Sequence, residues 1–201
     1  MSSELGTLLD GPKIRHGWLP EGIAAGELKM RLLTSLVLCL WVVVATADRW
    51  EDAFSAAERG DEAAALQIIR PLAEQGDASA QFLLGLAYKQ GQAGMTRDYT
   101  EARRWYRLAA EQGHATAQNR LGVIYREGQG VPQDYVEARK WFRLAAEQGE
   151  PDAQNNLGLT YSEGQGVPQD YVEARKWFRL AAEQGDATAQ FNLGLVYSQG
   201  W

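Results

Sequence analysis

Residues 127–149 read EGQGVPQDYVEARKWFRLAAEQG, and residues 163–185 repeat that string without a change. Identity of this length at an offset of 36 residues means that one structural unit is used again, and periods of this size mark stacked-repeat architectures. Fold and function are therefore read from the unit.

Within the string, Tyr135, Ala138, Trp141, Leu144 and Ala145 recur at steps of three and four, which predicts one apolar stripe on a helix, here helix B of the unit. Asp134 with Glu137 three positions on has the form of a capping box. The Asp oxygen takes an orphan backbone N–H and the Glu reaches back. Gly149 is expected to end the helix in the left-handed conformation. A shorter helix A is predicted ahead of it, from Ala115 to Tyr125, stopped by Gly128, Gly130 and Pro132. Its Leu-Gly pair recurs at Leu84-Gly85, Leu121-Gly122, Leu157-Gly158 and Leu193-Gly194. A helical Gly costs roughly 1 kcal/mol against Ala, so its repetition implies that helix B of the same unit needs the space. Helices this short are marginal alone. Trp105, Trp141 and Trp177 hold one slot in successive units and are expected to centre the layers, each ring removing roughly 150–250 Å² from water.

The pattern D-A-x-A-Q-x-x-L-G-x-x-Y followed by G-x-G-V-P-x-D-Y-x-E-A-x-x-W-x-x-x-A-A-E-Q-G closely resembles Sel1-like repeats, relatives of the tetratricopeptide repeat. The resemblance covers about Asp48 to the end. It implies an all-α fold, a right-handed α-solenoid of antiparallel helix pairs serving as a scaffold for protein contacts, with no catalytic residues. Some secreted relatives tie their helices with cysteines. Here the only cysteine, Cys39, lies outside the repeats, so no disulfide framework or cysteine metal site is available.

Of the 201 residues, 45% are hydrophobic, enough for a core, which a solenoid buries in layers rather than as one globule. Asp and Glu number 26 against 20 Lys and Arg, which argues against nucleic acid as a partner, since phosphate binding needs clustered basic residues. No cofactor is expected.

Residues 1–29 carry Gly, Pro and scattered charge without periodicity and read as an unstructured extension. From Met30, a basic start at Lys29 and Arg31, an apolar run from Leu36 to Val44 and Ala45-Thr46-Ala47 form a signal peptide, 30–47, cut after Ala47. The run is short for a membrane span, so no stable span remains after cleavage. Translation is expected to start at Met30, with Gly26-Glu27 the translation of a purine-rich ribosome-binding site; the alternative is a genuine extension, and N-terminal sequencing of the precursor decides. Cys39 follows Leu38, where a lipoprotein would have a small residue, and reads as an ordinary signal-sequence residue. Export with an unstapled fold points to a periplasmic or secreted protein. Next come a divergent helix pair at 48–76, with Gly60-Asp61 at its turn, and repeats at 77–113, 114–149 and 150–185. The first repeat is one residue longer, in the loop at 90–97. A partial repeat occupies 186–201, helix A only. It is either a truncated reading frame or a cap or sticky end through which the chain self-associates.

Signatures of hydrolytic enzymes are missing: no Ser-x-x-Lys, no His-Glu-x-x-His and no Gly-x-Ser-x-Gly. Gly128-Gln-Gly130 and Gly164-Gln-Gly166 are turn glycines rather than phosphate loops. His114 stands where other units have Asp77, Glu150 and Asp186, and is read as an exposed cap-region residue. In tetratricopeptide-type repeats helix A lines the concave face, and alignment on the Leu-Gly pair sets Phe82, Asn119, Asn155 and Phe191 in one row. Lys89, Arg126, Ser162 and Ser198 form a second. These rows are the candidate partner-binding residues, the Asn amides offering donor and acceptor to an extended peptide, against the simpler reading of solvent-facing residues. On helix B, Arg103, Arg139 and Arg175, and Arg107, Arg143 and Arg179, form a basic ladder that Glu111, Glu147 and Glu183 are expected to neutralise. The function expected is a non-enzymatic scaffold binding a protein or peptide ligand. The alternatives are a cell-wall or β-lactam hydrolase, as among some secreted relatives, and a self-assembling structural protein.

Overall fold

The computed structural model describes residues 48–198 and Gly200. The expected extension, the signal peptide with Cys39, and Trp201 lie outside the described residues. Nine α-helices follow one another, and no strand occurs among the described residues. They are α1 (48–58), α2 (Glu62–Glu74), α3 (Ala78–Gln90), α4 (Tyr99–Glu111), α5 (Ala115–Glu127), α6 (Tyr135–Glu147), α7 (Pro151–Glu163), α8 (Tyr171–Glu183) and α9 (Ala187–Ser198). Helices α3, α5, α7 and α9 are the A helices; α4, α6 and α8 are the B helices.

Their ends follow from local chemistry. Asp134 Oδ1 accepts from the Glu137 N–H at 2.9 Å, and Gly149, with φ 88°, takes the left-handed turn after α6. Only half of the expected capping box forms. Glu137 accepts instead from Trp141 Nε1 at 3.1 Å and Lys140 Nζ at 2.8 Å, while the Asp134 N–H donates to the Tyr125 carbonyl at 2.9 Å. That last bond ties the start of helix B back to helix A of its own unit. Gly128 and Gly130 both have φ of 69°, so they are turn residues as expected.

The core keeps Ala138 and Ala145 of the predicted stripe but takes Phe142 and Ala146 where Trp141 and Leu144 were expected. The buried face of α6 is Ala138, Phe142, Ala145 and Ala146, whereas Leu144 is 46% exposed. The fully buried ring of each layer is therefore Tyr106, Phe142 or Phe178, the residue after the tryptophan. These rings meet the Leu-Gly pair. A Cβ built on Gly122 would lie 2.6 Å from the Phe142 ring and 3.1 Å from the Ala138 carbonyl oxygen, and Gly85 and Gly158 are closed in the same way by Tyr106 and Phe178. The predicted reason for the helical glycine holds in these three units.

The tryptophans act between layers. Trp105 is buried with Leu72 and Ala73 of α2, Trp141 packs on the cluster containing Tyr106 and Ala109, and Trp177 on the one containing Phe142 and Ala145. Each B helix thus closes its own unit with one ring and reaches the preceding unit with the ring before it. A second interlayer device is polar and was not foreseen. Buried Gln118 donates to the Ala110 carbonyl of the preceding B helix at 3.0 Å and accepts from Gln148 of its own unit at 2.7 Å. Gln81 and Gln154 repeat both bonds.

Candidate functional site

Successive A helices are neighbours, α5 meeting α7 directly. Across α5, α7 and the start of α9 lies a polar cavity of about 300 Å³, lined among others by Arg120, Arg126, Asp152, Asn155, Asn156 and Thr188. It takes in three of the predicted residues, Asn119, Arg126 and Asn155.

Asn119 and Asn155 are buried, and each has its amide oxygen occupied: Asn156 Nδ2 donates to Asn119 Oδ1 at 2.9 Å, and Asn192 Nδ2 to Asn155 Oδ1 at 2.9 Å. They join one A helix to the next, and the half-buried Asn156 and Asn192 stand nearer the surface. The buried Asn119 Nδ2 has no hydrogen-bond partner among the described residues. Arg126 extends the network, donating from Nη1 to Asn156 Oδ1 at 2.8 Å, with Nη2 3.5 Å from Glu127 and its guanidinium 5.5 Å from the centre of the Phe142 ring. Arg120 and Asp152 face each other across the helices at 4.0 Å.

The remaining candidates are dispersed. Phe82 is half-buried and stacks on the His114 imidazole at 4.8 Å. Lys89 is half-buried on α3, one unit before the cavity. Ser162 and Ser198 turn their hydroxyls back to the Leu159 and Leu195 carbonyls. Phe191 is 66% exposed. His114 is not the exposed residue that was expected: its Nδ1 accepts from the Ala117 N–H at 3.2 Å, and burial lowers its pKa below the usual 6.5. It remains, as read, a cap. Burial also raises the carboxyl pKa of Glu150, the equivalent cap of α7.

The outer arginines are held differently from the expectation. Arg143 and Arg179 donate to the hydroxyls of Tyr161 and Tyr197, each on the following A helix, at 2.6 Å, and Arg107 donates likewise to Tyr125. The i,i+3 ion pairs of the B helices are made by other carboxylates, Glu101 with Arg104, Glu137 with Lys140 and Glu173 with Lys176. Arg reaches Tyr because the two side chains meet at the layer junction, where a hydrogen bond also adds interlayer cohesion. Among the described residues no group of His, Cys, Asp and Glu could hold a metal ion, and no helix is long and apolar enough to cross a membrane.

Comparison with known sequences finds a repeat over the same helix pairs. The Sel1 repeat matches residues 78–114, 115–150, 151–186 and 187–201. This chain belongs to the Sel1 repeat family. The matched Sel1 repeats begin one residue after the divisions drawn from the sequence. No protein of curated function matches the chain. Two of the solved structures similar to it are Sel1-like repeat proteins of higher identity. One is c5321, a protective antigen present in uropathogenic Escherichia coli strains displaying an SLR fold, at 38% identity and TM-score 0.72, covering 89% of this chain and 37% of that one. The other is a Sel1 repeat protein from Oxalobacter formigenes, at 44% identity and TM-score 0.62, covering 66% of this chain and 54% of that one. This sequence thus spans about half of these relatives or less. Helicobacter pylori cysteine rich protein B shares the fold at 22% identity. Sel1 repeats are commonly protein-interaction scaffolds, and the all-α helical repeat expected from the sequence is the fold observed.

Proposed function

We propose that this chain is an exported, non-enzymatic adaptor that binds a protein or peptide partner along its A-helix face. The observation that carries this reading is the polar cavity across α5, α7 and α9, which lies where the units differ from one another. Arg120, Asn156 and Asn192 hold one register position, as do Arg126, Ser162 and Ser198, while the packing rings and glycines repeat. A face that varies over an invariant scaffold is suited to recognition, since binding residues sit on elements that packing has already positioned. Placement beyond the inner membrane rests on the signal-peptide reading of residues 30–47.

The test is photo-crosslinking in the native host, with the reactive residue placed at exposed Thr188 beside the cavity or at exposed Val136 on a B helix. Capture of one defined protein from Thr188 and not from Val136 is expected, in the fraction outside the cytoplasm. Capture from Val136 alone contradicts the face, and a partner confined to the cytoplasm contradicts export. Exposed Phe191, Leu195 and Tyr197 on α9, at 66%, 43% and 50%, favour a second reading, self-association through that helix. A mass that rises with concentration in light scattering supports it, and a constant monomer mass rejects it.

A further inference from the structure

The repeat supplies an internal template for a site that one unit fills and the next leaves open. At the α5/α6/α7 junction, Arg126 lies over the Phe142 ring, donates to Asn156 Oδ1 and pairs with Glu127. Adding 36 to these positions gives Ser162, Phe178, Asn192 and Glu163: the ring, the amide and the carboxylate recur, and only the cation is replaced. Phe178, Asn192 and Glu163 line a cavity of about 320 Å³ together with Ser162, Leu159 and Leu195.

Each remaining group is held as its counterpart is. Asn192 Nδ2 donates to Asn155 as Asn156 does to Asn119, which turns Asn192 Oδ1 the way Asn156 Oδ1 faces Arg126. Glu163 Oε2 accepts from Gln165 as Glu127 Oε2 does from Gln129, leaving Oε1 for a cation as Glu127 Oε1 is used by Arg126. Ser162 folds its hydroxyl onto the Leu159 carbonyl at 3.0 Å and so vacates the space. At the first junction the set is absent, since Arg120 stands where Asn156 and Asn192 do.

We propose that this cavity takes the guanidinium of an arginine side chain presented by a protein partner. An aromatic face, a neutral amide acceptor and a carboxylate are the three groups with which the chain already holds its own arginine. A planar, weakly hydrated guanidinium uses all three, whereas an ammonium is more strongly hydrated and does not stack. The adaptor reading is needed only for the source of the arginine; the site itself stands on the template.

The probe is the capped tripeptide Gly-Arg-Gly, titrated against the protein while the Asn192 side-chain amide is followed by NMR, with Gly-Lys-Gly as the comparison. Saturable shifts of Asn192 are expected, with the arginine peptide bound about tenfold more tightly than the lysine peptide. Ser162→Arg should fill the cavity from within, move the Asn192 amide signals toward those of Asn156 and abolish peptide binding. Glu163→Gln, on an exposed position that does not endanger folding, should weaken binding roughly three- to tenfold and remove most of its salt dependence. Equal affinity for the two peptides overturns the proposal. So does undiminished binding by a folded Ser162→Arg protein, or no saturable shift in the wild type. A chain that captures its partner from Thr188 yet ignores the arginine peptide loses this site alone; one that takes the peptide but captures nothing loses the adaptor reading alone.

Discussion

Gly122 and Gly194 are the same residue in the repeat and differ only in what faces them. A methyl at Gly122 would overlap the Phe142 ring at 2.6 Å, and nothing lies within 4 Å of one at Gly194. Alanine is the better helix former by about 1 kcal/mol, so Gly194→Ala is expected to raise the unfolding midpoint in urea, while Gly122→Ala lowers it, overpacking costing about 1–3 kcal/mol of stability. The reason for the glycine was legible in the sequence because a costly residue recurred at each period. Which aromatic closes on it was not, since Trp141 and Phe142 are adjacent and both stand at three- and four-residue steps between Ala138 and Ala145. At His114, burial lowers the imidazole pKa, with the backbone bond and the Asp77 charge opposing it. The unfolded chain then binds the proton more readily. The stability this group contributes is fully present above about 6.5 and is lost as pH falls through the lower folded value. Glu150, its carboxyl raised by burial from 4.5, runs the other way, contributing below 4.5 and losing that contribution as pH rises. The difference between wild type and His114→Asn, which keeps an N-cap, isolates the imidazole. The wild-type melting temperature should fall more steeply than the variant's between about pH 7 and pH 5, and parallel curves would refute the assignment.

At the scale of the element, each of the three complete units is held twice, once by rings and once by polar side chains. Gln118 is buried and serves two elements, so Gln118→Leu leaves the Ala110 carbonyl and the Gln148 amide without it, at a cost of about 1–3 kcal/mol in equilibrium unfolding. Tyr161→Phe removes only the surface bond from Arg143 and should cost about 0.5–1 kcal/mol. Equal costs would mean that the buried glutamine is not the structural partner described. Helix number, order and caps were legible from period, Asp-x-x-Glu and Gly. The Gln relay had a signal, since Ala-Gln and Glu-Gln-Gly recur at each period, but a polar residue reads as surface until the neighbouring helix is placed beside it. The same blindness affected the candidate rows. Asn119 and Asn155 were found by their offset, and only the fold shows that their oxygens already join consecutive A helices.

For the molecule as a whole, the consequence is cohesion passed from neighbour to neighbour. No unit buries its faces alone, and stability becomes a sum of unit and interface contributions. The tryptophan of each B helix is the largest side chain reaching the layer before it, so damage there should spread toward the N-terminus rather than stay local. That direction was unreadable from periodicity, which orders the units without saying which one each ring touches. The decisive measurement is native-state hydrogen exchange on Trp177→Ala, a truncation expected to cost roughly 3 kcal/mol. The account predicts that amides of α6, in the preceding unit around Phe142 and Ala145, lose protection together with those of α8. Loss confined to α8, with α6 unchanged, would contradict it.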